Sequence, residues 1–275
     1  MHTAHCCVRH TTPLPPSLDV VFSPHRLQTY IVAAQGDEDL ARALYVWNRD
    51  LSVAFLADIA ILEVALRNAI NFGLTFKWGE RWYEAGPILD KRCTGQLVSA
   101  WDRLSGPSRS NRADPALPGR LVSTLMFGFW TNLLDEGGAV GRSPRDERAD
   151  HDALWLEIRR GFRGARAEAR AAGVRYERSF VFTTVKNVNE LRNRAAHHEA
   201  FINGFPLSGQ RRRMSAADGY AECLKLARML NRDLASWLEQ NSDVPNLLNH
   251  RPPQLSPTLK CFSSPHLLVD GYPDF

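Results

Sequence analysis

The sequence predicts an all-α protein, a helical bundle with irregular N- and C-terminal ends, and three observations carry that prediction. Between Leu40 and Ile70 apolar side chains return at three- and four-residue steps without a break, the period of a helix with one apolar face. The same period returns at Val181, Val185, Val188, Leu191 and Ala195, and again from Tyr220 to Trp237. Between these stretches lie clusters of Gly, Pro, Ser and Asp, the residues of turns and loops. Everything regular is therefore helical, with neighbouring helices expected antiparallel.

Residues 1–22 read as an unstructured arm. Its His2, His5, Cys6, Cys7 and His10 match no tetrahedral zinc spacing, and no metal is expected there. Ser23 is a helix cap and Pro24 suits a first helical position, so a helix follows and stops at Gly36. Asp37 opens the next, whose stripe is Leu40, Ala43, Leu44, Trp47, Leu51, Ala54, Phe55, Ile59, Leu62, Leu66 and Ile70. That helix is longer than usual, and a bend is expected near residues 48–52. Residues 90–104 give a further helix, SGPSRSNRADPALPGR an exposed loop, and LVSTLMFGFWTNLLDE one buried helix whose Gly128 allows a close neighbour. GGAVGRSPRDERADHD is a second loop, residues 153–161 a short helix, and the basic run after it is helical through Glu168. After the stripe of residues 181–195 and the turn INGFPLSGQ, residues 216–240 form a final helix. Prolines 245, 252, 253, 257, 265 and 273 then forbid regular structure, making 241–275 a tail and 23–240 the single helical domain.

A chain of 275 residues is long enough to bury a sizeable core without staples. No apolar run approaches the roughly 20 residues that span a bilayer, and the N-terminus has no apolar core of a secretory signal. Five scattered cysteines (Cys6, Cys7, Cys93, Cys223, Cys261) imply reduced thiols, and with them a cytoplasmic protein. Net charge is +4, but residues 155–214 hold 13 Lys and Arg against 5 Asp and Glu, a net of +8 that leaves −4 elsewhere. Such a single-sign zone suits a polyanionic partner.

The richest chemistry lies in residues 180–201, FVFTTVKNVNELRNRAAHHEAF. Asn193 and His197 are four apart and share a helix face, with Arg192 on the same turn. An imidazole moves protons near neutral pH, a guanidinium fits a phosphate, and an amide can position the imidazole. That set is what cleavage of an RNA phosphodiester without metal requires: a base for the 2′-hydroxyl and a cation for charge gathering on phosphorus. His198 is a weaker candidate for the proton shuttle, since the period places it on the apolar face with Val188, Leu191 and Ala195. Upstream, Glu63 and Arg67 are four apart in the favourable acid-before-base order, with Asn68 following, amid Ile61, Leu62, Val64 and Leu66. At least part of this group is expected to point into protein and find a partner there.

Arg192-Asn193, three residues, then His197 resembles the Arg-Asn-three-any-His signature of the HEPN ribonuclease superfamily. More narrowly, LRNRAAHHEAF resembles the Abi-like (abortive infection) bacterial family, whose chains carry LRNR-x-AHHE here. Residues 44–70 (LYVWNRDLSVAFLADIAILEVALRNAI) and 121–134 (LVSTLMFGFWTNLL) resemble the same family, in the same order. The resemblance implies a HEPN-like bundle and a metal-independent endoribonuclease of phage defence, toxin-like, with no cofactor. It implies Arg192 as phosphate-stabilising cation, Asn193 as positioning amide and His197 as general base or acid. It also implies a homodimer whose two motif helices face each other across a shared cleft, and an activity held back until a trigger arrives or an inhibitor or antitoxin leaves. Glu63 or Arg67, with Asn68, is expected to pack against the motif helix and orient it. RNA is expected to lie on Arg159, Arg160, Arg163, Arg211, Arg212 and Arg213. The alternative is a non-catalytic RNA-binding or dimerisation module of the same fold.

Overall fold

The computed structural model describes residues 14–253, apart from 87–88, 143, 145–146 and 208–212. Among the described residues the elements in chain order are α1 (Pro24–Ala33), α2 (Glu38–Trp78), α3 (Trp82–Ala85), α4 (Lys91–Arg103), α5 (Gly106–Ser110), α6 (Leu117–Thr124), α7 (Phe127–Asn132), α8 (His151–Ile158), α9 (Ala165–Ala171), α10 (Arg178–Ala196), α11 (Ala216–Leu230), α12 (Arg232–Asn241) and α13 (Val244–Asn249). Two short antiparallel hairpins, β1–β2 (Ala139–Val140 with Glu147–Arg148) and β3–β4 (Phe205–Pro206 with Arg213–Met214), complete an all-α fold.

Helix α2 is the spine. It runs 41 residues without interruption, so the expected bend at residues 48–52 does not divide it. Its stripe from Leu44 to Leu74 is buried on contacts with α1, α7, α8, α10, α11 and α13. A helix this long survives because its neighbours bury one face of it along nearly its whole length, which matters more than propensity. Local caps set several of the starts. The side chains of Ser23, Asp37 and Asp90 accept from the N–H groups of Arg26, Leu40 and Cys93, where the sequence places helix N-termini.

Other expectations need correction. LVSTLMFGFWTNLLDE is two helices, α6 and α7, parted by extended backbone at Leu125 and Met126. The break lets Phe127, Phe129 and Trp130 all be buried, which one stripe of a straight helix could not achieve. The predicted exposed loop before it contains α5, and the next loop folds into β1–β2. The predicted final helix divides at Asn231, whose side chain caps α12 by accepting from Asp233 and Leu234 N–H. Residues 241–249 are no tail. Pro245 lies in the first turn of α13, where a missing N–H costs nothing. Val244 is buried, the Trp47 indole donates to the Leu247 carbonyl (2.7 Å) and Ser242 Oγ donates to Asp58 (2.6 Å). The described part of the N-terminal arm is docked as well. Asp19 pairs with buried Arg42 of α2 at 2.6 Å, and Phe22 packs on Tyr45.

Close backbone approach is concentrated at glycines other than Gly128, which has only the tip of Gln96 near it. A Cβ on Gly73 of α2 would sit 2.5 Å from the Glu157 carbonyl oxygen, and one on Gly161 would overlap that of Ala69. Here α2 and the 157–161 segment touch main chain to main chain. Gly73→Ala and Gly161→Ala should each destabilise by about 1–3 kcal/mol, as overpacking does. Gly95→Ala, in open space on α4, should instead stabilise by roughly 0.5–1 kcal/mol. Thermal unfolding of the three variants checks the contrast.

Candidate functional site

Helix α10 packs on α2, α7 and α11 through Val181, Val185, Val188, Leu191 and Ala195, none of which retains exposure. That burial fixes the helix and turns the opposite side outward. Arg192 is half-buried, and Asn193 and His197 are exposed. Arg192 Nη1 lies 3.4 Å from Asn193 Oδ1, too long for a strong bond. No carboxylate pairs with Arg192, and the ring of His197 makes no hydrogen bond, among the described residues. The three residues implied by the motif thus share the C-terminal end of α10, and neither cation nor imidazole is paired to an acid among the described residues.

The helix ends under this cluster. Ala196 is its last residue and His197 the C-cap, its N–H donating to the Asn193 carbonyl at 3.0 Å. His198 N–H then donates to Ala195 and Glu199 N–H to Arg194, the paired bonds of a Schellman ending. The residue at its left-handed position is usually glycine; here it is His198, with φ 55°. Placing His198 on the apolar face is therefore wrong. The helical period ends at Ala196, two residues before His198, and the side chain is exposed. An ion pair between Arg194 and Glu199 closes the same turn.

The residue that holds this turn is one the motif does not contain. Asn48 of α2 is 2% exposed. Its Nδ2 donates to the Glu199 carbonyl (3.2 Å) and its Oδ1 accepts from Phe201 N–H (2.7 Å). The amide imitates a peptide partner for a loop that would otherwise bury an unpaired donor and acceptor. The one hint in the sequence is a polar residue beside Trp47 in an apolar stripe.

The other candidate residues are not gathered around the motif within one protomer. Among the described residues no hydrogen bond or ion pair links Glu63, Arg67 or Asn68 to α10, and none links Glu63 to Arg67. Arg67 and Asn68 line a groove toward α6 instead. The long helix explains the miss: Asn48 marks the level of the motif, and Arg67 lies 19 residues further along, roughly 28 Å at about 1.5 Å per residue. Arg159, Arg160 and Arg163 are exposed, but near the far end of α2, where the Arg160 guanidinium lies 4.5 Å from the Phe76 ring. The basic run adjoins the motif in sequence, not in the folded protomer. Arg213 is at the motif's end of the molecule, yet it is spent on structure, donating to the carbonyls of Asn203 and Gly204. Arg211 and Arg212 lie outside the described residues.

Among the described residues one group has the spacing of a metal site. Asp90, Asp135 and His151 offer atoms within 4.8 Å of one another. A guanidinium already stands there, with Arg92 bonded to Asp90 at 2.5 Å and to Asp135 at 2.8 Å. Burial opposes ionisation of both acids. It is outweighed at Asp90 by the Cys93 N–H and Arg92, and at Asp135 by hydrogen bonds from His151 and Arg92. Both carboxyls are held below the usual carboxylate range.

No helix is long and apolar enough to cross a membrane, among the described residues. Comparison with known protein families, with curated proteins and with solved structures finds no match to this chain.

Asn48→Ala leaves a buried donor and acceptor unpaired and should cost about 1–3 kcal/mol. In hydrogen exchange, the Phe201 amide should lose its protection before the rest of α2 and α10 does. Because the folded-state pKa values of Asp90 and Asp135 are depressed, their contribution is present above the unfolded value of about 4 and disappears as pH falls below it. Arg92→Met raises both folded values, so acid unfolding followed by circular dichroism should begin at higher pH than in the wild type.

Proposed function

We propose that the protein is a metal-independent endoribonuclease of the abortive-infection type, a toxin-like agent of phage defence that acts in the cytoplasm. One observation carries this reading: Arg192, half-buried, and His197, exposed, stand five residues apart at the end of α10 and are paired to no acid among the described residues. A cation free of carboxylates and an imidazole free of hydrogen bonds are available to a phosphodiester. His197 takes the proton of a ribose 2′-hydroxyl, and that oxygen attacks phosphorus. Arg192 stabilises the charge gathering on the non-bridging oxygens, and Asn193 positions the imidazole. The 5′-oxygen leaves with a proton, giving a 2′,3′-cyclic phosphate and a 5′-hydroxyl. The second proton carrier comes from the partner copy of a two-fold HEPN-like homodimer, whose His197 faces the first across a shared cleft. His198, exposed on the same turn, is the alternative source. A trigger or an antitoxin holds the activity back.

A second reading, a non-catalytic RNA-binding or dimerisation module, is favoured by the position of Arg159, Arg160 and Arg163 at the other end of α2. Charge for holding RNA and groups for cutting it are then separated within one protomer.

Incubation of the purified protein with total RNA distinguishes the two. The Arg192→Ala/His197→Ala double variant should lose about 10²–10⁴-fold in cleavage rate with its fold intact, whereas His198→Ala should retain most activity. Cleavage should persist in EDTA. Products with 5′-phosphate ends, or loss of activity on chelation, would exclude the mechanism, and an inactive wild type that still binds RNA would establish the second reading.

A further inference from the structure

A groove of about 650 Å³ opens between the C-terminal half of α2 and helix α6. Its α2 wall carries Arg67, Asn68, Asn71 and Thr75, and the facing wall carries Pro118 and Val122. Arg67, Asn71 and Thr75 are spaced by four, so one face of α2 presents them in a row. Arg67 is half-buried, a position at which a guanidinium normally finds an acid, yet it has no hydrogen bond or ion pair among the described residues. Asn68 and Thr75 are equally uncommitted through their side chains. Asn71 is oriented: its Oδ1 accepts from the buried Trp82 indole N–H at 2.9 Å, leaving the amide nitrogen, a donor only, as its free end. Across the groove Arg120 is neutralised by Asp114 at 2.8 Å. The wall therefore offers one unspent positive charge beside a row of donors, with an apolar surface opposite. Glu80 at the rim discourages a second negative group.

We infer that this groove binds a small phosphate monoester of mononucleotide size. A guanidinium flanked by amide donors suits the oxygens of one phosphate group. The volume falls in the range of small-ligand sites, and Pro118 and Val122 receive the uncharged body. The site lies at the opposite end of α2 from the motif and does not depend on the nuclease reading.

Isothermal titration of the full chain with adenosine 5′-monophosphate, inorganic phosphate and adenosine tests it. Saturable 1:1 binding of the monophosphate is expected, weaker binding of phosphate, and none of adenosine. Arg67→Met and Asn68→Asp should each weaken the monophosphate about tenfold or more, about 1.4 kcal/mol. Asn68 is exposed, so its variant keeps the test valid if Arg67→Met does not fold. The Arg192→Ala/His197→Ala variant should bind the monophosphate as the wild type does. The inference is overturned by absence of saturable binding, by adenosine binding as well as its monophosphate, by indifference to Arg67→Met and Asn68→Asp, or by loss of binding in the motif variant.

Discussion

Burial of one face of α2 along nearly its whole length is the constraint from which the other features descend. A 41-residue helix has two ends too far apart to share one surface, and the protein uses both. The end at Asn48 anchors the loop that closes α10. The end at Gly73 meets the 157–161 segment so closely that no side chain fits between them. Helices α10 and α11 lie along the same spine, so the position of Arg192 and His197 is inherited from packing far below them.

The electrostatics follow the same division. Buried or half-buried charges are mostly answered: Arg42 by Asp19 and Asp39, Arg92 by Asp90 and Asp135, Arg178 by Asp152. Against that background the cations left unanswered are informative. Arg192 is one and Arg67 another, and they occupy different regions of the surface. Pairing a half-buried guanidinium recovers part of its desolvation cost, so leaving it single is a feature that a ligand can exploit.

Much of the fold was legible because its causes are local. Ser23, Asp37 and Asp90 cap the helices they precede, and the stripe from Leu44 to Ile70 is core because its spacing allows nothing else. The failures share the opposite property. The break at Leu125–Met126 answers a demand to bury three aromatic rings, and α13 exists because α2 offers Val244 and Leu247 somewhere to dock. Within the site, Arg192, Asn193 and His197 could be grouped from their spacing. The outward turn of His198 could not, since the helix end is secured by an amide some 150 residues upstream. The basic run could not be placed for a related reason, because adjacency in sequence says little once a chain doubles back along a long helix.

That upstream amide also has a bearing on the order in which the molecule matures. A ribosome releases α2 well before residues 199–201 have been translated, so the carboxamide of Asn48 must wait, hydrated or mispaired, while some 150 further residues emerge. The turn carrying His197 acquires its shape only when that distant loop closes, an entropic penalty that no local preference offsets beforehand. A nascent chain is therefore without its assembled motif until residues 199–201 have emerged and closed onto α2.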